Sequence, residues 1–274
     1  MQIRDYSLPA GWFPREKTAV SAFLSEIKAD LQNKTRAAIS PHAGWTYSGK
    51  IAALGAANLE SNADTVVVLG GHLNAGTPPL FAMEDAVRTP FGYMKIDASL
   101  RQNLLKELGG AEDRYRDNTI EVLLPMVHYF FPEAQLLWLR LPAEISSYES
   151  GKIIAQIGEK LGRNVNVLAS TDLTHYGENY GFSPKGRGEK ALSWMRDVND
   201  AAFIKAVESG DSEDVLRRAQ CDSSSCSAGA VLGAMGFADC AKLGKARLLE
   251  YGTSVSSDDI PDSFVGYAAF AFGK

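Results

Sequence analysis

The sequence lacks the features of several common classes of protein. No apolar run approaches the roughly 20 residues that a membrane-spanning helix needs. Lysine and arginine total 28 against 33 aspartate and glutamate residues, so the net charge is −5 and no basic excess exists. We therefore expect no nucleic-acid partner and no membrane association. The first residues also lack the basic, apolar and small segments of a secretory signal, which predicts a cytoplasmic protein.

Cysteine is scarce as well. Three cysteines, an odd number, do not form a disulfide framework in a chain of 274 residues. Hydrophobic residues make up 45% of the chain and charged residues 22%, which is ordinary globular usage and excludes a disordered chain. With no repeats, low-complexity stretch or linker, residues 1–274 are interpreted as a single domain.

Strand-like and helix-like segments alternate along the chain. Short apolar runs, several of them β-branched, alternate with segments of helical periodicity. This alternation predicts a three-layer α/β/α domain with a mostly parallel central sheet. The predicted strands are 36–40, 65–69, 135–141, 164–169, 247–252 and 263–272. The predicted helices are 48–61, 98–108, 118–131 with an interruption or late start at Pro125, 148–161, and two or three helices within 188–236.

Three of the four histidines follow predicted strands. His42, His72 and His175 each come within a few residues of a strand end, where ligands bind in open α/β sheets. Any one of them alone is more simply explained as a loop histidine that caps a helix or bonds a carbonyl. The three together favour a binding site. His128 lies instead within a predicted helix beside aromatic residues, so packing or exposure explains it better.

Acidic and sulfur-containing side chains accompany these histidines. Asp172 precedes His175 by three residues and could orient an imidazole or assist proton transfer, although capping a helix is an equally simple role. Cys221 and Cys226 flank a serine-rich stretch, and their spacing alone is weak support for a metal site. A thiolate with two imidazoles would suit iron, copper or zinc better than magnesium or calcium.

Ordered motifs along most of the chain resemble the Memo family, which includes AmmeMemoRadiSam system protein B. The two most specific motifs are residues 41–49 (PHAGWTYSG), similar to the family's PHAGY-x-YSG, and residues 170–177 (STDLTHYG), similar to SSDFSHYG. Weaker matches are residues 69–72 (LGGH against LGPSH), 89–92 (TPFG against TPLG), 120–125 (IEVLLP against LEVQLP) and 265–268 (VGYA).

The resemblance implies the fold of class III extradiol dioxygenases, in which two histidines and a carboxylate hold a non-haem iron. A cysteine generally takes the third position in Memo-like chains. Carried over, His42 and His72 would be imidazole ligands of iron, with copper or zinc as alternatives. Cys221 is preferred to Cys226 as the thiolate ligand, on the family pattern CG-x-x-P. His175 would handle protons beside the substrate, with Asp172 close by.

The predicted substrate pocket comprises Trp45, Tyr47, Asn118 and Tyr176. The chain departs from the family pattern where Asn118 replaces a pocket histidine, Asp222 replaces the glycine after the cysteine, and Gly71 replaces the serine before His72. Asparagine forms hydrogen bonds but does not titrate, which puts in doubt any mechanism that needs two proton-carrying histidines.

Three functions compete. The first is a metal-dependent oxidoreductase of the dioxygenase type, acting on a small aromatic or enediol substrate. The second is a hydrolase with Cys221 as nucleophile, His175 as base and Asp172 as orienting residue. The third is a protein that binds a small molecule or peptide in the same cleft without turnover. The family name also implies companion proteins of the AmmeMemoRadiSam group.

Overall fold

A computed structural model describes residues 1–28, 33–256 and 260–273. Within these ranges the strands are β1 (Ile3–Arg4), β2 (Ala37–Ser40), β3 (Thr65–Gly70), β4 (Leu80–Phe81), β5 (Ala86–Thr89), β6 (Gly92–Lys95), β7 (Ala111–Glu112), β8 (Gln135–Arg140), β9 (Val165–Ser170), β10 (His175–Gly177), β11 (Ala246–Thr253) and β12 (Ser263–Phe272).

The helices of the described residues alternate with these strands. They are α1 (Lys17–Ser25), α2 (Trp45–Ala57), α3 (Ala98–Leu108), α4 (Asn118–Glu121), α5 (Leu124–Phe130), α6 (Ser146–Lys160), α7 (Glu189–Trp194), α8 (Ala201–Ser209), α9 (Ser212–Cys221) and α10 (Ala228–Cys240). A short 3-10 helix spans Glu178–Tyr180, and a π-helix, Met195–Asp200, joins α7 to α8. No helix in the described ranges has the length and hydropathy to cross a membrane.

Four parallel strands form the middle of the main sheet, in the order β2, β9, β3 and β8. Val67 of β3 pairs with Leu137 of β8 on one side and Val167 of β9 on the other. Strands buried on both faces are read as continuous apolar runs, as these are. The predicted mostly parallel central sheet is therefore confirmed. Antiparallel strands extend it, with β12 beside β2 and β4 beside β8.

Successive side chains of the central strands enter opposite layers of the core. Val67 and Leu69 pack in one cluster with α6 and α10, whereas Val66 and Val68 pack in another with α1, α2 and α5. Burying each of these side chains contributes about 1.5–3 kcal/mol. Two helical layers around one sheet are the predicted α/β/α arrangement. The extent of the single domain stays a prediction.

Helices α6 and α10 approach each other through glycines. A Cβ atom on Gly236 would lie 1.8 Å from the carbonyl oxygen of Tyr148, and one on Gly151 would lie 1.9 Å from that of Gly233. No side chain fits at such distances, so glycine is required at both positions. The close contact fixes α10 against the sheet, and with it the residues that lead into the helix.

The sequence did not predict a second, small sheet of β1, β5 and β6. Its strands span only two to four residues, and Gly92–Lys95 is largely exposed, so no apolar run marks it. The predicted helix 118–131 is divided into α4 and α5. Pro125 lies in the first turn of α5, where its missing N–H has no helical partner to lose, so the late start is confirmed.

Candidate metal centre

Loops from three parallel strands converge at one edge of the sheet. His42 follows β2, His72 follows β3, and Asp172 and His175 follow β9. The carboxyl ends of parallel strands lie at the same edge, which is why residues so distant in sequence meet there. Cys226 joins them from the loop that precedes α10.

His42, His72 and Cys226 form a compact cluster. One donor atom from each lies within 4.8 Å of the others. The Nε2 atom of His42 lies 3.3 Å from the Sγ atom of Cys226. The two imidazole rings stand edge to face with centroids 5.0 Å apart. Two nitrogens and one sulfur at this spacing could hold a transition metal.

The preference for Cys221 as the sulfur ligand is wrong. Cys221 is the last residue of α9 and its side chain is exposed. Residues 222–225 then carry the chain back to the sheet. There the backbone N–H of Asp172 donates to the Sγ atom of Cys226, and the N–H of Cys226 donates to the carbonyl of Asp172, both over 3.3 Å. Cys226 also stands just ahead of the N-terminus of α10, a position that favours a thiolate.

Gly71 and Ser227 give a second reason to place Cys226 at the family's cysteine. A Cβ atom on Gly71 would lie 2.4 Å from the Cβ atom of Ser227. The family pattern has serine before the second histidine and glycine after the cysteine, the reverse of this chain. The two positions touch, so a serine on one side requires a glycine on the other. With Cys226 as the ligand, it is Ser227 and not Asp222 that replaces the glycine after the family's cysteine.

A neutral hydroxyl orients the ring of His42, and a carboxylate holds its backbone. Its ring is 1% exposed, and its Nδ1 atom is hydrogen bonded to the Ser170 hydroxyl at 2.5 Å. Its backbone N–H donates to Asp172 Oδ1 over 2.7 Å. With Nδ1 engaged, Nε2 is the ring atom that faces Cys226. Such a partner on the distal nitrogen fixes the ring orientation of metal-binding histidines.

A charged network orients His72. Its Nδ1 atom lies 2.9 Å from Asp117 Oδ2, and Arg140 Nη2 donates to the same oxygen over 3.2 Å. Arg140 also donates to Asp113 over 3.3 Å and to the carbonyl of Gly71 over 2.9 Å. The φ angle of His72 is +56°, which is unusual for a residue with a side chain. The Arg140 bonds to this backbone hold the strained turn in place.

The cluster lowers the pKa of Cys226. Burial raises the pKa of the thiol, but the charges and hydrogen bonds of the two imidazoles outweigh it and hold the pKa well below its usual value. Burial lowers the pKa of His72, yet its bonds to Asp117 and Cys226 raise that pKa to about 10. A lowered thiol pKa favours the deprotonated sulfur that a metal binds.

His175 lines the cavity beside the cluster. Its Nδ1 atom lies 3.1 Å from the carbonyl oxygen of Leu173, which can only accept, so Nδ1 carries a proton in this bond. The preceding residue, Thr174, is anchored by two consecutive residues of the π-helix. The amide of Asn199 donates to its hydroxyl over 2.9 Å, and its backbone N–H donates to Asp200 over 3.1 Å.

Asp172 is 3% exposed. It belongs to the loop that leads to His175 and contacts the loop that carries His42. One oxygen accepts the His42 N–H, and the other lies 4.0 Å from His42 Nε2. Burial raises the pKa of its carboxyl. The alternative role as a helix cap is wrong, because β10 and not a helix follows it.

A cavity of about 440 Å³ opens over the cluster. It is lined by Trp12, His42, Ala43, Gly44, Tyr47, His72, Asn118, Asp172, His175, Tyr180, Ser254, Ser263, Val265 and Tyr267. Tyr47 and Asn118 of the predicted pocket therefore lie on its wall, and their contact with a substrate stays a prediction. The amide of Asn118 donates to the carbonyl of His42 over 3.0 Å, which is a role in holding the loop rather than in titration.

Trp45 and Tyr176, by contrast, are core residues and not pocket residues. The Trp45 ring packs on Phe23 and its Nε1 donates to the carbonyl of Val122. Tyr176 is 0% exposed and stacks on Phe264 at 4.9 Å. Residues two apart on a helix face different sides, so Tyr47 reaches the cavity and Trp45 does not. Neighbours on a strand alternate, which separates His175 from Tyr176.

Three aromatic residues of the cavity wall were not predicted from the sequence: Trp12, Tyr180 and Tyr267. Trp12 comes from the segment before α1, and its carbonyl accepts the N–H of Trp45 over 2.8 Å. Tyr267 lies in the matched VGYA motif, which was the one signal available. Tyr180 packs edge to face on His175, with ring centroids 4.9 Å apart.

Fold and site together define an α/β protein with two imidazoles and a thiolate at the carboxyl ends of parallel strands. The chain belongs to the Memo-like protein family, whose sequence model matches residues 4–271. It is 30% identical to a MEMO1 family protein of Pyrococcus horikoshii, over 97% of this chain and 98% of that one. It is 28% identical to a MEMO1 family protein of Methanosarcina acetivorans, over 98% of each. A solved structure of an uncharacterized Escherichia coli K12 protein covers 85% of this chain and 98% of its own, with 12% identity and a TM-score of 0.46.

Proposed function

We propose that this protein is a metal-dependent oxidoreductase that acts on a small aromatic or enediol substrate. The observation that carries the proposal is the cluster of His42, His72 and Cys226, whose two imidazoles line a cavity that His175 also lines. Iron is the metal proposed first, with copper or zinc as alternatives.

The donor set fits such a metal. Both imidazoles engage Nδ1 elsewhere, which leaves Nε2 for coordination, and the two imidazoles lower the pKa of the Cys226 thiol. Soft sulfur with imidazole nitrogen selects transition metals over magnesium and calcium. When bound, the metal supplies a Lewis acid and, for iron or copper, a redox centre.

The protein side chains supply proton handling and orientation. His175 Nε2 accepts a proton from a substrate hydroxyl, while the Leu173 carbonyl keeps Nδ1–H in place. Asp172 lines the same cavity and fixes the His42 loop, so its role is orienting rather than nucleophilic. Tyr47 and Tyr180 at the mouth offer ring faces to an aromatic substrate.

The experiment is metal analysis by plasma mass spectrometry on protein purified without oxygen. Wild type is compared with His42→Ala and Cys226→Ser, with Cys221→Ser as the matched control. We expect near-stoichiometric iron or copper in wild type and in Cys221→Ser, and its loss in the other two. Wild-type protein that stays metal-free and refuses added Fe(II), Cu(II) and Zn(II) would overturn the proposal.

Binding without turnover is the second candidate function. The exposed aromatic side chains at the mouth support it, since Tyr47 is 63% and Tyr180 47% exposed. Oxygen consumption by iron-loaded protein with catechol separates the two functions, because a binding protein consumes none. The structure does not support a hydrolase with Cys221 as nucleophile. Cys221 is not among the described residues that line the cavity with His175. Companion proteins of the AmmeMemoRadiSam group remain a prediction.

A further inference from the structure

The size and lining of the cavity indicate room for one substituted ring. Its volume of about 440 Å³ lies at the small end of ligand pockets. Four of its lining side chains are aromatic: Trp12, Tyr47, Tyr180 and Tyr267. A substituent on the side of the ring that points away from the metal ligands would contact the rest of this wall. The charged groups of the wall therefore decide which charge the substituent can carry.

In the part of the chain that the structure describes, the wall offers no lysine or arginine for an anionic substituent. Among the described residues that line the cavity the basic side chains are the imidazoles of His42, His72 and His175. The acidic side chain among these lining residues is Asp172. Sites for carboxylates and phosphates are ordinarily built from arginine, lysine or free N–H groups at a helix N-terminus.

Helix α2 begins at the cavity, but three of its first four N–H groups donate to backbone carbonyls. The N–H of Trp45 donates to the carbonyl of Trp12 over 2.8 Å. The N–H groups of Tyr47 and Ser48 donate to the carbonyl of Gly44 over 2.8 and 3.2 Å. These bonds leave the helix start a poor anion site.

Two nearby arginines are neutralised by carboxylates. Arg140 lies behind His72 and is paired with Asp113 and Asp117. Arg187, beyond the 3-10 helix, is paired with Glu178 and Asp262. Both guanidinium groups are therefore already paired and do not serve as partners for an anion inside the cavity.

We infer that the cavity selects uncharged or cationic rings and rejects rings with a carboxylate or phosphate substituent. This inference rests on the proposed function, because it takes the ring to be held over the metal of the His42, His72 and Cys226 cluster. An anionic substituent would exchange water for aromatic rings without gaining a lysine or arginine partner among the described residues of the wall.

The test measures the binding of three probes to Zn(II)-loaded protein by calorimetry under nitrogen. The probes are 3,4-dihydroxybenzamide, 3,4-dihydroxybenzylamine and 3,4-dihydroxybenzoate, which share the diol and differ in charge. We expect the amide and the amine to bind at least about tenfold more tightly than the benzoate. The amide matches the benzoate in size and shape and differs from it in charge. Equal or tighter binding of the benzoate overturns the inference.

A pair of variants at the rim sharpens the test. Tyr47→Arg adds a cation at the mouth and is expected to remove most of the preference against the benzoate. Tyr47→Gln lacks the cation and is expected to keep it. If Tyr47→Arg leaves the preference unchanged while still binding the amide, the charge argument is wrong. Zinc content is measured on the same samples. Failure to take up any of Zn(II), Fe(II) and Cu(II) overturns the proposed function, whereas zinc uptake without affinity for the amide or amine overturns only the inference.

Discussion

The two imidazoles of the cluster are held in opposite ways. His42 is buried, follows an ordinary strand end and is oriented by the neutral Ser170 hydroxyl. His72 is partly exposed, lies in a left-handed backbone conformation and is oriented by Asp117, which Arg140 holds in turn.

The site therefore combines a half held mainly by packing, around His42, with a half held mainly by charges, around His72. We expect small substitutions around His42 to change its position little, because many packing contacts hold it. The charges around His72 depend on each other, since the removal of one leaves a buried partner unpaired. Substitutions that break charges should therefore act on the His72 side far more strongly than comparable changes act on the His42 side.

The largest effect is expected from Arg140→Met. This change leaves Asp113 (0% side-chain exposure) and Asp117 (9%) without their shared arginine. Breaking a buried pair in this way costs about 3–5 kcal/mol in the free energy of unfolding, measured by urea denaturation. The matched control is Arg187→Met, which breaks exposed, solvent-screened pairs and should cost far less. Similar losses in both variants would show that the buried network is not special.

Metal affinity separates the two imidazoles next. Asp117→Asn keeps the shape of the His72 partner but removes its charge, and we expect metal affinity to fall by about 10–100-fold, as is usual for a partner of a metal-binding histidine. Ser170→Ala, its counterpart at His42, should cost about tenfold or less because a neutral bond is lost. Competition with a chromophoric chelator measures both. A larger loss in Ser170→Ala would reverse the comparison.

Gly71 and Ser227 connect the His72 turn to the Cys226 loop. Gly71→Ser alone places a side chain against Ser227 and should cost about 1–3 kcal/mol of stability through overpacking. The double variant Gly71→Ser with Ser227→Gly restores the order of the family pattern and should recover most of that loss. A double-mutant cycle from urea denaturation gives the coupling free energy. Additive effects would mean that the two positions do not compensate each other.

Sequence predicted more of the fold than of the site. The central strands are continuous apolar runs, so their positions and the layer order followed from residue type alone. His42, His72, Asp172 and His175 also followed, because strand ends locate ligands in this architecture. The choice between Cys221 and Cys226 did not follow, since it depends on where α9 ends and how residues 222–225 turn back. Trp45 and Tyr176 failed for a related reason, because a helix or strand decides which of two neighbouring aromatics faces the cavity.

The smallest effect expected is a pH dependence of the stability that Asp117 contributes in metal-free protein. Asp117 helps to raise the pKa of His72 to about 10 in the folded chain, whereas an unfolded histidine has a pKa of about 6.5. A raised histidine pKa contributes stability that is complete below about pH 6.5 and is lost as pH rises towards 10. The lowered pKa of the Asp117 carboxyl contributes above about pH 4 and is lost in acid. The difference in urea midpoint between wild type and Asp117→Asn should therefore be greatest between about pH 4 and 6.5 and shrink above that range. The difference between wild type and Ser170→Ala, where no charge changes, should stay flat, and a parallel decline there would remove the distinction between the two imidazoles.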